Sequence, residues 1–146
     1  MLEYIILFSI IILFLGASAY SNSQAQKRFD IEYSEFLSNN EGIELFCYTN
    51  REKFLYIIEN DILPYLDESI NIIKLVGKEP VTSLDVKFIS QALYKIENIG
   101  FPNVMKVVNG ELLDISLHCE IYNAINNGKS DELIELVYTK FEMLRL

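Results

Sequence analysis

The chain begins with a continuous apolar stretch and then changes to shorter apolar runs separated by polar residues. Residues 4–15 are apolar except for Ser9, and no charged residue follows until position 27. After this stretch come small polar residues that are typical of a flexible connection. The pattern predicts a hydrophobic membrane anchor or signal segment over residues 1–20, a polar linker over 21–28 and a folded domain over 29–146.

The hydrophobic segment fits two interpretations. As a signal peptide it has a suitable apolar run and the A-x-A pattern Ala17-Ser18-Ala19, but it carries Glu3 where such peptides carry positive charge. As a single-pass anchor, residues 4–20 reach about the 17-residue lower limit for crossing a bilayer. We favour the anchor and leave the cleaved leader open. The side of the membrane also stays open, because Lys27 and Arg28 favour a cytoplasmic domain whereas the cleavage pattern favours an exported one.

Inside the domain, short apolar runs predict strands and apolar residues at helical spacing predict helices. The predicted strands are Phe29–Glu32, Ile43–Tyr48, Ile70–Val76, Val104–Val108 and Glu111–Leu117. The predicted helices are Tyr33–Asn40, a long helix from Thr49 that Pro64 kinks or ends, one capped by Ser83 that runs over 84–98, and one capped by Ser130 that runs to about Leu144.

Two local motifs define how these elements connect. The sequence Thr49-Asn50-Arg51-Glu52 has the T-x-x-E form of a capping box, which predicts a helix start at Thr49. The dipeptide Asn109-Gly110 lies between two strand-like runs and predicts a tight β-hairpin. Two strands joined across a helix form a parallel pair, and the hairpin adds an antiparallel pair. The predicted fold class is therefore α/β with a mixed sheet.

Charge and cysteine content exclude several functions. A formal net charge of −9 argues against a nucleic-acid partner, because like charges repel. The triplet Gly128-Lys129-Ser130 lacks the preceding glycine of a phosphate-binding loop, so we interpret it as a turn and a helix cap. The group His118, Cys119 and Glu120 has no paired metal-ligand spacing, and we interpret it as the end of a strand. No metal site and no cofactor are predicted.

The segment GFPNVMKVVNGEL, residues 100–112, resembles the thioredoxin-like superfamily, in which a glycine, an apolar residue and a cis-proline precede a strand and an Asn-Gly-Glu turn. The resemblance extends over residues 29–146. It implies a thioredoxin-like three-layer sandwich with a mixed β-sheet and a cis peptide bond at Pro102. It also implies that Ile43–Tyr48 is the central strand and that the next helix corresponds to the helix that carries the redox site in the family.

The redox site itself departs from the family pattern. Thioredoxins place Cys-x-x-Cys at the start of that helix, where this chain has Thr49-Asn50-Arg51-Glu52, so dithiol chemistry is excluded. We expect Cys47 to lie inside the strand as an inert apolar residue. The alternative is a monothiol thiol-disulfide oxidoreductase or redox chaperone that uses Cys47, which requires the strand to stop at Phe46. A disulfide between Cys47 and Cys119 stays open for an exported domain.

The resemblance also implies a peptide-binding groove between two loops. Its residues in this chain are Tyr48, Thr49, Asn50, Arg51, Phe101 and Pro102. The aromatic side chains of Tyr48 and Phe101 have a second interpretation, in which they fill the core. The sequence thus leads to the expectation of a membrane-tethered, non-catalytic domain that binds a protein partner or the subunits of a complex at a membrane.

Overall fold

The computed structural model describes the backbone of residues 2–96, 100–129 and 132–144, and within these ranges the side chains from Tyr20 onward except that of residue 53. The chain divides into two compact units, Met1–Phe36 and Leu37–Leu146. Each unit is described by itself below.

Helix α1 spans Leu2–Asn39 and supplies the whole first unit. Residues 21–28, predicted as a linker, are helical, and the predicted strand Phe29–Glu32 is wrong. The physical reason is that no glycine or proline interrupts residues 17–41, and side-chain pairs four residues apart support the helix. One such pair is the hydrogen bond from Gln26 to Asp30, at 2.9 Å.

The segment predicted to reach a membrane, residues 1–20, precedes Gln26 and Asp30 in the chain. Within the part of the chain that the structure describes, no helix is long and apolar enough to cross a membrane. The predicted anchor or signal segment, residues 1–20, lies outside the described side chains except for Tyr20. It therefore stays a prediction.

The described part of the second unit contains one five-stranded mixed sheet in the order β3-β2-β1-β4-β5. The strands β1 and β2 are parallel, and the other neighbouring pairs are antiparallel. The strands are β1 (Glu44–Thr49), β2 (Asn71–Val76), β3 (Glu79–Val81), β4 (Asn103–Val108) and β5 (Glu111–Ser116). The predicted α/β class with a mixed sheet is confirmed, and β1 is the central strand.

Four further helices connect or follow these strands in the described part of the unit. They are α2 (Glu52–Ile57), α3 (Val86–Lys95), α4 (His118–Asn126) and α5 (Leu133–Met143). Helix α2 continues into a π-helical turn, Ile58–Ile62, and a 3₁₀ turn, Leu63–Tyr65, where Pro64 ends it as predicted.

Two helices begin at residues other than those predicted. Thr49 does not cap α2, because it is the last residue of β1 and pairs with Leu75 of β2. The N-cap position belongs to Arg51, whose side chain makes no capping hydrogen bond. In α3 the cap is Asp85 rather than Ser83, and its side chain accepts a hydrogen bond from the backbone N–H of Lys87 at 2.9 Å. The predicted cap Ser130 lies outside the described residues.

Two elements were not predicted. Strand β3 has only three residues, contains Pro80 and pairs along one edge of β2. Helix α4 begins at His118, so the interpretation of His118 and Cys119 as a strand end is wrong. The strand stops because the Ser116 hydroxyl accepts a hydrogen bond from the His118 N–H at 3.2 Å, which turns the backbone into the helix.

The predicted hairpin between β4 and β5 is confirmed. Asn109 and Gly110 adopt positive φ angles of 54° and 74°, which a two-residue turn of the favoured hand requires. The carboxylate of Glu41 accepts hydrogen bonds from both of their backbone N–H groups, at 2.7 and 2.9 Å. The turn is therefore held to the segment that leads into β1.

The core lies against both faces of the sheet. Side chains alternate along β1, so Phe46 and Tyr48 share one face while Leu45 and Cys47 share the other, and all four are buried. The first face packs against the turns after α2 and against α4 and α5. Its buried contacts there are Ile58, Ile62, Leu117, Ile121, Val137 and Phe141.

Candidate functional site

Cys47 lies in the middle of the central strand. It is 0% exposed, and its neighbours across the ladder are Ile73 on β2 and Asn103 on β4. Burial raises the pKa of this thiol to about 12. Because the thiolate is the nucleophile in thiol chemistry, a thiol that is both covered and protonated at neutral pH is unreactive.

Tyr48 faces the core instead of a groove. Its ring is 3% exposed, and its hydroxyl donates a hydrogen bond to Glu59 Oε1 at 3.3 Å. Lys74 Nζ donates to the same oxygen at 2.7 Å. Burial first, and then the charge and hydrogen bond of Glu59, raise the pKa of Tyr48 to about 12. Tyr48 was interpreted from the sequence either as a groove residue or as a core residue. The structure supports the core role.

The loop before β4 contains a cis peptide bond between Phe101 and Pro102. Pro102 is buried, and its carbonyl oxygen accepts a hydrogen bond from the Leu117 N–H at 2.8 Å. The antiparallel pairing of β1 with β4 ends at Cys47 and Asn103, so the segment after Cys47 and the segment before Asn103 leave the ladder at the same end of the sheet. The two loops predicted to form the groove are thus neighbours at this edge of the sheet.

The exposed part of the predicted groove is smaller than its residue set. Asn50 and Arg51 are exposed, while Thr49 and Phe101 are half-buried. The carbonyl oxygen of Arg51 accepts hydrogen bonds from the N–H groups of Phe54 and Leu55, at 3.2 and 3.1 Å, so Arg51 is fixed at the first turn of α2. With Tyr48 and Pro102 buried, four of the six predicted residues remain available at the surface.

Helix α4 adds residues that the sequence analysis did not place at this site. His118 Nδ1 donates a hydrogen bond to the Phe101 carbonyl oxygen at 3.0 Å, since a carbonyl oxygen only accepts. The ring of Phe54 meets His118 and Tyr122 edge-on, with ring centroids 6.1 and 6.2 Å apart. The signal for α4 was present as apolar residues four apart, Leu117 and Ile121, followed by Ile125.

These contacts form one concave surface, which we call the aromatic groove. It consists of Phe54, the backbone carbonyl of Phe101, and His118, Cys119, Tyr122 and Asn123 of α4, and the four α4 residues line a cavity of about 230 Å³. Tyr122 is 40% exposed and Cys119 is exposed. The site therefore offers aromatic edges, an amide and an accessible thiol, with Arg51 next to it.

Comparisons with protein-family models, with curated proteins and with solved structures found no match to this chain.

The groups considered for other chemistry do not converge on a reactive centre. Cys47 and Cys119 are both free thiols, so the disulfide left open by the sequence is not formed. Among the described residues, no three His, Cys, Asp or Glu side chains are grouped so that they could hold a metal ion. Glu120 pairs with Lys140 at 2.8 Å, and this hydrogen bond lowers the pKa of Glu120.

A larger concavity of about 550 Å³ lies between α4 and α5. Its charged lining is mostly neutralised inside the protein, because Glu120 pairs with Lys140 and Glu132 pairs with Lys129 at 3.0 Å. Ala124 and Leu136 form the apolar part of its lining. It shares Asn123 with the aromatic groove, but it contains none of the residues predicted from the sequence.

Proposed function

We propose that this chain is a thioredoxin-like domain, held at a membrane by its hydrophobic N-terminal segment, that binds a protein partner without thiol chemistry. The observation that carries the proposal is the state of Cys47, which is 0% exposed inside the central strand with a pKa of about 12. The surface that remains at this position is the aromatic groove. Such a surface provides binding chemistry, because aromatic rings beside an arginine are typical of protein interfaces.

The topology supports the thioredoxin-like part of the proposal. The central strand β1 is parallel to β2, and α2 lies between them in the chain. The β4–β5 hairpin follows a cis X-Pro bond at Pro102, which is the feature on which the resemblance rests. Both faces of β1 are buried, and this fits a sheet that lies between two layers of helices.

The magnitude of the pKa shift counts against the monothiol alternative. A rise from the reference value of 9.0 to about 12 lowers the thiolate fraction near pH 7 by roughly three orders of magnitude. The alternative also requires β1 to stop at Phe46. Instead, the ladder with β2 continues through Cys47 and Tyr48 to Thr49. A reactive Cys47 would need both the loss of these pairings and a new path to solvent.

One experiment tests both the membrane and the thiol parts. The full chain is expressed, its membranes are washed with alkaline carbonate, and the pellet is treated with iodoacetamide at pH 7.4 before peptide mapping by mass spectrometry. We expect the full chain in the pellet, Cys119 alkylated within minutes, and Cys47 alkylated only after denaturant is added. The Cys119→Ser variant, which retains only Cys47, is the matched control and is expected to remain unlabelled.

Rapid labelling of Cys47 in the folded chain would refute the non-catalytic proposal and favour the monothiol alternative. A chain that is released by carbonate, or whose intact mass lacks the first nineteen residues, would refute the tether.

A further inference from the structure

We propose that the aromatic groove binds a protein segment that carries an Asp or Glu side chain close to an aromatic or apolar side chain, with the carboxylate on Arg51 and the apolar side chain against the ring edges. This inference rests on the proposed function, because it names the partner chemistry of the same surface.

Arg51 and the groove form one continuous surface. The Arg51 carbonyl oxygen accepts the N–H of Phe54 at 3.2 Å, so the two residues lie in the same first turn of α2. Phe54 contacts His118 and Tyr122 through its ring, and His118 donates its hydrogen bond to the Phe101 carbonyl oxygen. The backbone of Arg51 is therefore linked to Tyr122 through a single intervening residue, Phe54.

Among the residues that the structure describes, no carboxylate neutralises the charge of Arg51. Several cations of the second unit form ion pairs with carboxylates: Lys74 with Glu59, Lys106 with Glu44, Lys129 with Glu132 and Lys140 with Glu120. Arg51 is exposed and forms no ion pair within the described part of the chain. An arginine also presents a planar donor fork that matches the two oxygens of a carboxylate.

The net charge of −9 does not oppose a local acidic contact. Salt screens interactions between exposed charges beyond about 8 Å at physiological ionic strength, so the contact itself is decided by the charges at the groove. The nearest acidic residue in the sequence is Glu52, and no ion pair joins it to Arg51 in the described part of the chain.

The cavity suits one anchoring side chain. Its volume of about 230 Å³ is below the range of roughly 300–1,000 Å³ that holds a small-molecule ligand. Interfaces commonly gain most of their affinity from a few aromatic side chains in such pockets. The amide groups of Asn50 and Asn123 are both exposed and can exchange hydrogen bonds with the backbone of a bound segment.

The test is a selection of random twelve-residue peptides on the full chain in lipid nanodiscs, with parallel selections on the Arg51→Glu and Tyr122→Ala chains. The wild type is expected to enrich peptides with Asp or Glu within three positions of an aromatic residue. The most enriched peptide is then synthesised with a fluorescent label, and its dissociation constant is measured by anisotropy. Arg51→Glu is expected to weaken binding by about tenfold or more, as the loss of a charge-assisted hydrogen bond implies. The matched control Lys78→Glu reverses an exposed charge on the turn between β2 and β3 and is expected to leave binding unchanged.

The outcomes separate this inference from the proposed function. One outcome is that the selected peptides lack acidic residues, bind the wild type and Arg51→Glu equally and do not bind Tyr122→Ala. This outcome would overturn the proposed carboxylate contact and leave the groove as the binding surface. Peptides bound equally by all three chains, or no enrichment at all, would overturn both. Blocking Cys119 with N-ethylmaleimide gives a second measurement on the folded wild type, because the adduct occupies the cavity and is expected to prevent binding of the selected peptide.

Discussion

Gly100 precedes the cis Phe101–Pro102 bond, and replacing it with alanine is expected to destabilise the second unit strongly. Its φ angle is 156°, and a Cβ atom at this position would lie 2.5 Å from Ser116 Oγ and 3.2 Å from His118 Cβ. Real Cβ atoms do not approach other heavy atoms as closely as 2.5 Å, so the loop or the start of α4 must shift. The substitution would therefore disturb the backbone that positions both sides of the aromatic groove.

The cost has two parts that a control can separate. An unfavourable backbone conformation costs about 1–3 kcal/mol and overpacking about 1–3 kcal/mol, so Gly100→Ala should lower the free energy of unfolding by about 2–6 kcal/mol. Gly77 has a φ angle of 67° and no atom within 4 Å of its Cβ position. Gly77→Ala should therefore cost only the backbone part, about 1–2 kcal/mol.

Urea unfolding of the full chain, followed by far-UV circular dichroism, measures these differences. The double variant Gly100→Ala with Ser116→Ala removes the nearest clashing atom, so its cost should fall below the sum of the single costs by about 1 kcal/mol or more. The rescue is partial, because His118 Cβ remains and the Ser116 hydroxyl no longer accepts from the His118 N–H. A Gly100→Ala cost equal to that of Gly77→Ala, or purely additive costs in the double variant, would refute the close approach.

Two further predictions concern the segment after α2. Tyr138→Phe removes the hydroxyl that accepts the Asp67 N–H at 2.8 Å, and it should cost about 1 kcal/mol in urea unfolding, whereas Tyr56→Phe at a 73% exposed ring should cost nothing measurable. The hydrogen bond from Lys74 is the main cause that lowers the pKa of Glu59 below 4.5 in the folded state, so this pair stabilises the fold above about pH 4.5 and the effect is lost as the pH falls through the lowered pKa. Between about pH 5 and 3, the urea concentration at the unfolding midpoint should therefore fall less for Lys74→Met than for the wild type. If the midpoints of both proteins fall equally with pH, the stabilising role of the ion pair is contradicted.

The elements that were correctly predicted are those with strong local signals. Asn109-Gly110 between two apolar runs specifies a hairpin almost independently of the rest of the chain. The runs that became β1 and β2 are apolar on both faces, which is typical of buried parallel strands. In these segments the local preference and the tertiary structure agree, so the sequence alone is sufficient.

The incorrect predictions arose where a local signal competed with tertiary pairing. The T-x-x-E motif at Thr49 favours a helix start, but the backbone of Thr49 gains a ladder position against Leu75, and the helix then starts two residues later. Strand β3 is too short to leave a periodic pattern and depends on β2 as its partner. Helix α4 was not predicted because the strand-like run Glu111–Leu117 leads into His118 without a glycine or proline to mark a new element.

The candidate site in the structure differs from the predicted one, and strand geometry explains the difference. Side chains two residues apart in a strand share a face, so Tyr48 must follow Phe46 into the core once β1 extends to Thr49. That periodicity was readable in the sequence, whereas the contribution of His118 and Tyr122 depends on α4, whose apolar spacing was present but was not interpreted as a helix. The aromatic part of the site thus comes from Phe54 and α4 instead of Tyr48.

The same alternation links the burial of Cys47 to the proposed binding role. In the middle of a central strand, a side chain has neighbours on both sides, and the face that Cys47 shares with Leu45 is buried. Exposing the thiol would require the side chains that cover this face of the sheet to move away, which would open the core. The chain can change the groove residues on α4 and around Arg51 without such a cost, because they lie on exposed turns and on one helix face. The residues proposed to bind a partner can therefore be changed with less effect on stability than Cys47, whose exposure would open the core.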